Sequence, residues 1–92
     1  MATQPDFVFD EHVPSGGVHA NSARVWHTRH EFTVDFLAPW LHPSHDDDSL
    51  LIVARVRIPS TAMFGIVQGM SNGIGEYELE HGRLTPPPME AS

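Results

Sequence analysis

The hydrophobic periodicity of this chain changes once, at Pro59-Ser60, and that change limits the fold more than any other feature. Upstream, apolar residues recur at every second position, the spacing of a half-buried strand; downstream they recur at helical spacing. Phe32, Val34 and Phe36 alternate with Glu31, Thr33 and Asp35 in a predicted strand over 31–37. In a second, over 50–58, Ile52, Ala54, Val56 and Ile58 face away from Leu51, Val53, Arg55 and Arg57. A strand over 18–27 precedes these two. Phe7-Val8-Phe9, stopped by Asp10-Glu11 and followed by the turn residues Pro14-Ser15-Gly16-Gly17, forms a short first strand.

From Ser60, an N-cap residue after the extended Pro59, the residues Met63, Ile66, Val67, Met70, Ile74 and Tyr77 fall on one stripe of a helix. The helix is predicted to run to about Glu80 and to stop at Gly82. The predicted order is therefore β-β-β-β-α, an α+β fold in which an antiparallel sheet of three to four strands is followed by one C-terminal helix. Its expected core is Val25, Phe32, Val34, Phe36, Ile52, Val56, Met63, Ile66, Met70 and Ile74.

Residues His27 to His30 hold the turn between the strands 18–27 and 31–37. If that loop has an even number of residues, Ala23 and Val25 share the Phe32/Val34/Phe36 face, and Ser22, Arg24 and Trp26 share the face of Asp35. Arg24 then reaches Asp35. The segment 38–49, with two prolines and the run His45-Asp46-Asp47-Asp48, reads as a loop.

At 92 residues and 10.2 kDa the chain fits one domain, which buries roughly 64% of its unfolded surface. The expected organisation is a disordered N-terminus over 1–4, a single α+β domain over 5–82 and a disordered Pro-rich tail over 83–92. Twelve acidic residues against five Arg and no Lys give a net charge of -7, which argues against nucleic-acid binding. The absence of Cys excludes a disulfide framework and thiolate metal sites. Met1 to Asp10 lacks the apolar stretch of a signal peptide, and the uncharged run Ile58 to Gly75 carries Pro59, Gln68, Asn72 and four glycines. A soluble cytoplasmic chain with no membrane partner is expected.

Three segments carry a family resemblance: Val18-His19-Ala20-Asn21, then His27-Thr28-Arg29-His30-Glu31-Phe32-Thr33-Val34-Asp35-Phe36, then Val53-Ala54-Arg55-Val56-Arg57-Ile58-Pro59-Ser60-Thr61-Ala62. Through them the chain resembles the small bacterial domain of unknown function family numbered 3467, over roughly Asp10 to His81. The resemblance implies a short β-rich domain ending in a helix, oligomeric, with no assigned catalytic residue. Strands followed by a helix are also similar in architecture to the subunit of the SecB-type export chaperone, a likeness that carries no function by itself.

Four groups of residues are candidates for chemistry or contact. His42, His45, Asp46, Asp47 and Asp48 offer imidazole and carboxylate ligands for a divalent metal, although a solvated acidic loop explains the same run. His27, His30, Glu31 and Asp35 surround one hairpin and offer acid and base groups, yet turn formation and pairing to Arg24, Arg55 and Arg57 account for them better. No nucleophile motif or phosphate-binding glycine loop accompanies them, so no enzyme activity and no cofactor are expected. Gly65, Gly69 and Gly73, with Ala62, form a row about 100° from the centre of the apolar stripe and permit close approach of a second helix. With the stripe assigned to the sheet, that row is left over for a homodimer. Trp40, in its loop, and Trp26, on the outer sheet face, are candidate anchors for a partner.

The reading that follows is a small acidic cytoplasmic homo-oligomer acting as a protein-interaction module, adaptor or chaperone-like, which binds itself and another protein. The alternative is a metal- or small-ligand-binding accessory protein using the loop 42–48. Protonating all seven His would balance twelve acids with twelve bases, so stronger self-association is expected at about pH 5.5 than at about pH 7.5. Equal sedimentation at both values would contradict it.

Overall fold

A computed structural model of the chain describes residues 5–39 and 49–85. Trp40, His42, His45, Asp46, Asp47 and Asp48 lie outside these residues, as do 1–4 and 86–92. Strand β1 spans Ser22–His27, β2 Glu31–Pro39 and β3 Leu50–Pro59, and helix α1 follows at once over Ser60–His81. The strands form an antiparallel sheet in the order β1-β2-β3, with β2 in the centre.

The expected strand at Phe7-Val8-Phe9 is not present: these residues are coil, and Phe7 and Val8 are 90% exposed. Three apolar residues ahead of Asp10 and Glu11 alternate correctly, but they find no ladder partner among the described residues. The turn after them is present, closed by the Gly17 N–H donating to the Pro14 carbonyl at 2.9 Å, with Gly17 at φ 76°. The strand expected over 18–27 begins at Ser22, although the Asn21 N–H still donates to the Leu37 carbonyl.

Register is set at the β1–β2 turn. The Thr28 N–H donates to the Glu31 carbonyl at 2.9 Å, which leaves Arg29 and His30 as a two-residue loop and places Arg24 opposite Asp35. On the other side of β2, Asp35 stands opposite Arg55, and the same register carries the Ser60 N–H onto the His30 carbonyl at 2.9 Å. The last rung of the ladder is thus made by the first residue of α1.

Helix α1 starts without a side-chain cap. Ser60 was expected to cap it, but Ser60 is already helical and Pro59 occupies the N-cap position, with φ -55° and ψ 143°. At the other end the Gly82 N–H donates to the Glu78 carbonyl and the Leu84 N–H to Glu78 Oε2. Gly82 has φ 91° and ψ 172°, a backbone region open essentially to glycine.

The contacts of the chain fall into two units. One comprises residues 1–26 and 33–57, and the other the turn 27–32 with residues 58–92. Among the described residues, the buried apolar side chains are Val34, Leu37 and Ile58. Of the expected core, Val34 is buried and Phe32, Phe36 and Met63 are half-buried. Val25, Ile52, Val56, Ile66, Met70 and Ile74 are exposed instead. Val25 lies on one edge strand and Ile52 and Val56 on the other, and among the described residues the first unit contains strands and coil but no second layer to cover them. Helix α1 has no buried residue at all.

Gly82→Ala is expected to strain the C-terminal stop of α1 by about 1–3 kcal/mol and lower the melting temperature by roughly 5 °C or more. Thermal unfolding followed by circular dichroism checks it, and an unchanged melting temperature would contradict it.

Candidate interaction surface

The centre of the sheet carries a cluster of opposite charges. Asp35 has no solvent-accessible surface, and its neighbour Thr33 is 3% exposed. Arg55 grips the Asp35 carboxylate with two bonds, Nε to Oδ1 at 2.6 Å and a terminal guanidinium nitrogen to Oδ2 at 2.9 Å. From the opposite strand, Arg24 Nε donates to Oδ2 at 2.9 Å. A planar guanidinium suits this paired geometry, whereas a lysine would supply only a point charge. Trp26 shares the face: the Arg55 guanidinium lies 5.8 Å from the centroid of its ring.

These contacts set the charge state of Asp35. The hydrogen bonds from Arg55 lower its pKa most; burial works against them; Arg24 and Trp26 then add to the lowering, and the carboxyl is held well below the usual range. The Arg55 guanidinium is stabilised in return, mainly by its hydrogen bonds to Asp35. What hides the carboxylate is a thin cover of two part-exposed arginines and an indole, with little protein beyond them. No buried side-chain nitrogen or oxygen among the described residues lacks a partner. Such a carboxylate stays ionised at neutral pH and is already engaged, which suits it to fixing strand register.

The second unit presents an apolar surface. Phe32, Met63, Phe64 and Val67 line an open groove of about 300 Å³ together with Gln68 and Ser71. Along α1 the stripe expected to face the sheet is exposed: Ile66, Val67, Met70, Ile74 and Tyr77 are each between 38% and 56% accessible. Gly65, Gly69 and Gly73 have only open space where a Cβ would stand. Among the described residues, therefore, the row serves no close approach.

Of the His27/His30/Glu31/Asp35 group, Asp35 is held by two arginines. The His27 ring leans on Phe32 with centroids 5.6 Å apart, and the His30 N–H donates to Thr28 Oγ1. Arg55 as the stronger partner of Asp35 was not singled out from the sequence; its signal was its place on the face of Leu51 and Val53, opposite an acidic strand position. No group of three or more metal-ligating side chains occurs among the described residues.

Arg55→Met is expected to destabilise the protein more than Arg24→Met, in proportion to the two bonds against one; equal loss in chemical denaturation would contradict the bidentate grip. Because the pKa of Asp35 is depressed on folding, its contribution is complete above the ordinary carboxylate value and is lost as pH falls below about 4. Asp35→Asn should therefore be less stable at neutral pH and should lose less of its remaining stability through that acid window than the wild type does.

No curated protein matches the chain, and no solved structure does. The SecB-type likeness accordingly finds no support in these comparisons. One family model, described as a protein of unknown function (DUF3467), matches residues 4–86, a span that takes in the hairpin, the Arg24/Asp35/Arg55 cluster and the whole of α1. By that match, extending over nearly its full length, the chain belongs to the DUF3467 family.

Proposed function

We propose that this chain is a non-catalytic, homo-oligomeric protein-interaction module, adaptor or chaperone-like, acting in the cytoplasm. The observation that carries the reading is the exposed apolar stripe of a 22-residue helix that has no buried side chain. Four glycines lie within that helix, each costing roughly 1 kcal/mol against alanine, so its stability has to come from a surface that covers it. Three buried apolar side chains among the described residues are too few to offset the conformational entropy of ordering a chain of this size, at about 1.5 kcal/mol per residue. Association supplies the missing burial.

Two further features support the reading. Val25, Ile52 and Val56 leave apolar area on the edge strands, which a partner protein can use. No helix among the described residues is long and apolar enough to cross a membrane, so a bilayer span does not explain the exposed stripe.

Light scattering should give a multiple of the 10.2 kDa chain mass, and dilution toward the monomer should reduce helical ellipticity. A 10.2 kDa species with a full helical signal at every concentration would overturn the homo-oligomer. Affinity purification with mass spectrometry then separates an adaptor, which brings a stoichiometric second protein, from a module that binds itself alone.

A further inference from the structure

Within the apolar stripe of α1, a line of five residues is symmetric about Met70. Ile66 and Ile74 stand four residues to either side, and Met63 and Tyr77 seven. Both spacings return to the same helix face, so one line of side chains reads Met63, Ile66, Met70, Ile74, Tyr77 in the forward direction and finds an apolar residue at each matching place in reverse. Of these, Met63 is half-buried, and the other four are between 38% and 56% exposed. An isologous two-fold interface requires this property, because residue i of one copy meets residue j of the other and j meets i.

The charges choose between the two orientations. Glu76, Glu78 and Glu80 crowd the last turns of α1 with His81 and, just beyond, Arg83. From Ser60 to Gly75 the helix has no charged residue, and its first turn has neither an acidic residue nor a side-chain cap. A parallel pair would set the two carboxylate clusters side by side. An antiparallel pair sets each cluster beside the other copy's uncapped helix start, where the aligned peptide dipoles favour negative charge. Arg29 sits in the turn whose His30 carbonyl holds the Ser60 N–H, and so adds a cation near that end. Glu31, in the same turn, already has an interaction within its own chain.

We infer that two copies of this chain pair through α1 in antiparallel orientation, with the two-fold axis at Met70, Ile66 against Ile74 of the second copy and Met63 against Tyr77. The inference rests on the homo-oligomer reading above and specifies its interface. The Met63 thioether then meets an aromatic ring, a favourable contact for sulfur. Glu80 falls level with Ser60 of the second copy and Glu78 with Ala62. The glycine row, about 100° away, is left for any larger assembly.

The natural absence of cysteine makes a cross-linking test direct. Met63→Cys and Tyr77→Cys chains are prepared separately, mixed, allowed to exchange and oxidised. In the antiparallel pair the mixture gives a disulfide-linked dimer of one chain of each kind, in up to about half the chains, the share that random exchange places in mixed dimers. Neither variant cross-links alone, because like positions then lie about 21 Å apart, at 1.5 Å per residue, well beyond disulfide reach. Cross-linking of each variant with itself would show a parallel pair and overturn the orientation. A wild-type dimer whose variants never cross-link would place the interface elsewhere, overturning this inference while leaving the homo-oligomer standing. A wild-type monomer would overturn both. Should either variant lose its helical signal, the pair Ile66→Cys and Ile74→Cys makes the same distinction with the same outcomes.

Discussion

Everything in the sheet is referred to Asp35, the acidic residue on the central strand that two arginines reach from opposite sides. A carboxylate on a central strand has water on neither flank, and the cost of that position is met only if its oxygens find charged donors. Arg55 answers with two bonds and Arg24 with one, so both neighbouring strands are tied to the same pair of atoms. A slip of either strand by one residue would turn its arginine to the other face and leave the buried carboxylate short of donors. The ion pairs thus act as a register lock, and the two-residue turn at Arg29-His30 and the strand-to-helix join at Ser60 agree with the register they set.

Much of this was legible in the sequence, for a local reason. The alternation of Phe32, Val34 and Phe36 defines the faces of β2, and an even hairpin loop then leaves Arg24 nowhere to point but at Asp35. The change of period at Pro59-Ser60 marks the start of α1, and Gly82 its end. Alternation over three residues at Phe7-Val8-Phe9 was a weaker guide, because a strand exists only where a neighbour offers a ladder, and periodicity does not report the neighbour. The same limit governed burial. Val25, Ile52 and the α1 stripe are apolar on the correct faces, but which surface covers those faces is a property of packing and association, which no residue spacing within one chain encodes.

The contact candidates divide along that line. The glycine row was chosen as an interface by elimination, and the stripe on which that elimination depended is itself exposed. Trp26, expected beside Arg24 as a partner anchor, has its ring near the Arg55 guanidinium and so borders the charge cluster. An arginine whose guanidinium is half-exposed, bound beneath by a carboxylate and flanked by an indole, still has donors and an aromatic edge to offer a partner.

The join at Ser60 also bears on the nucleation of α1. A glycine-rich helix nucleates poorly by itself, since fixing its first turn costs more than the first hydrogen bonds return. Here the amide of the first helical residue is held by the His30 carbonyl, thirty positions earlier in the chain. That contact exists only where β3 is paired with β2. The sheet thus supplies the first anchored amide of α1, offsetting part of the nucleation cost that a glycine-rich helix would otherwise bear alone.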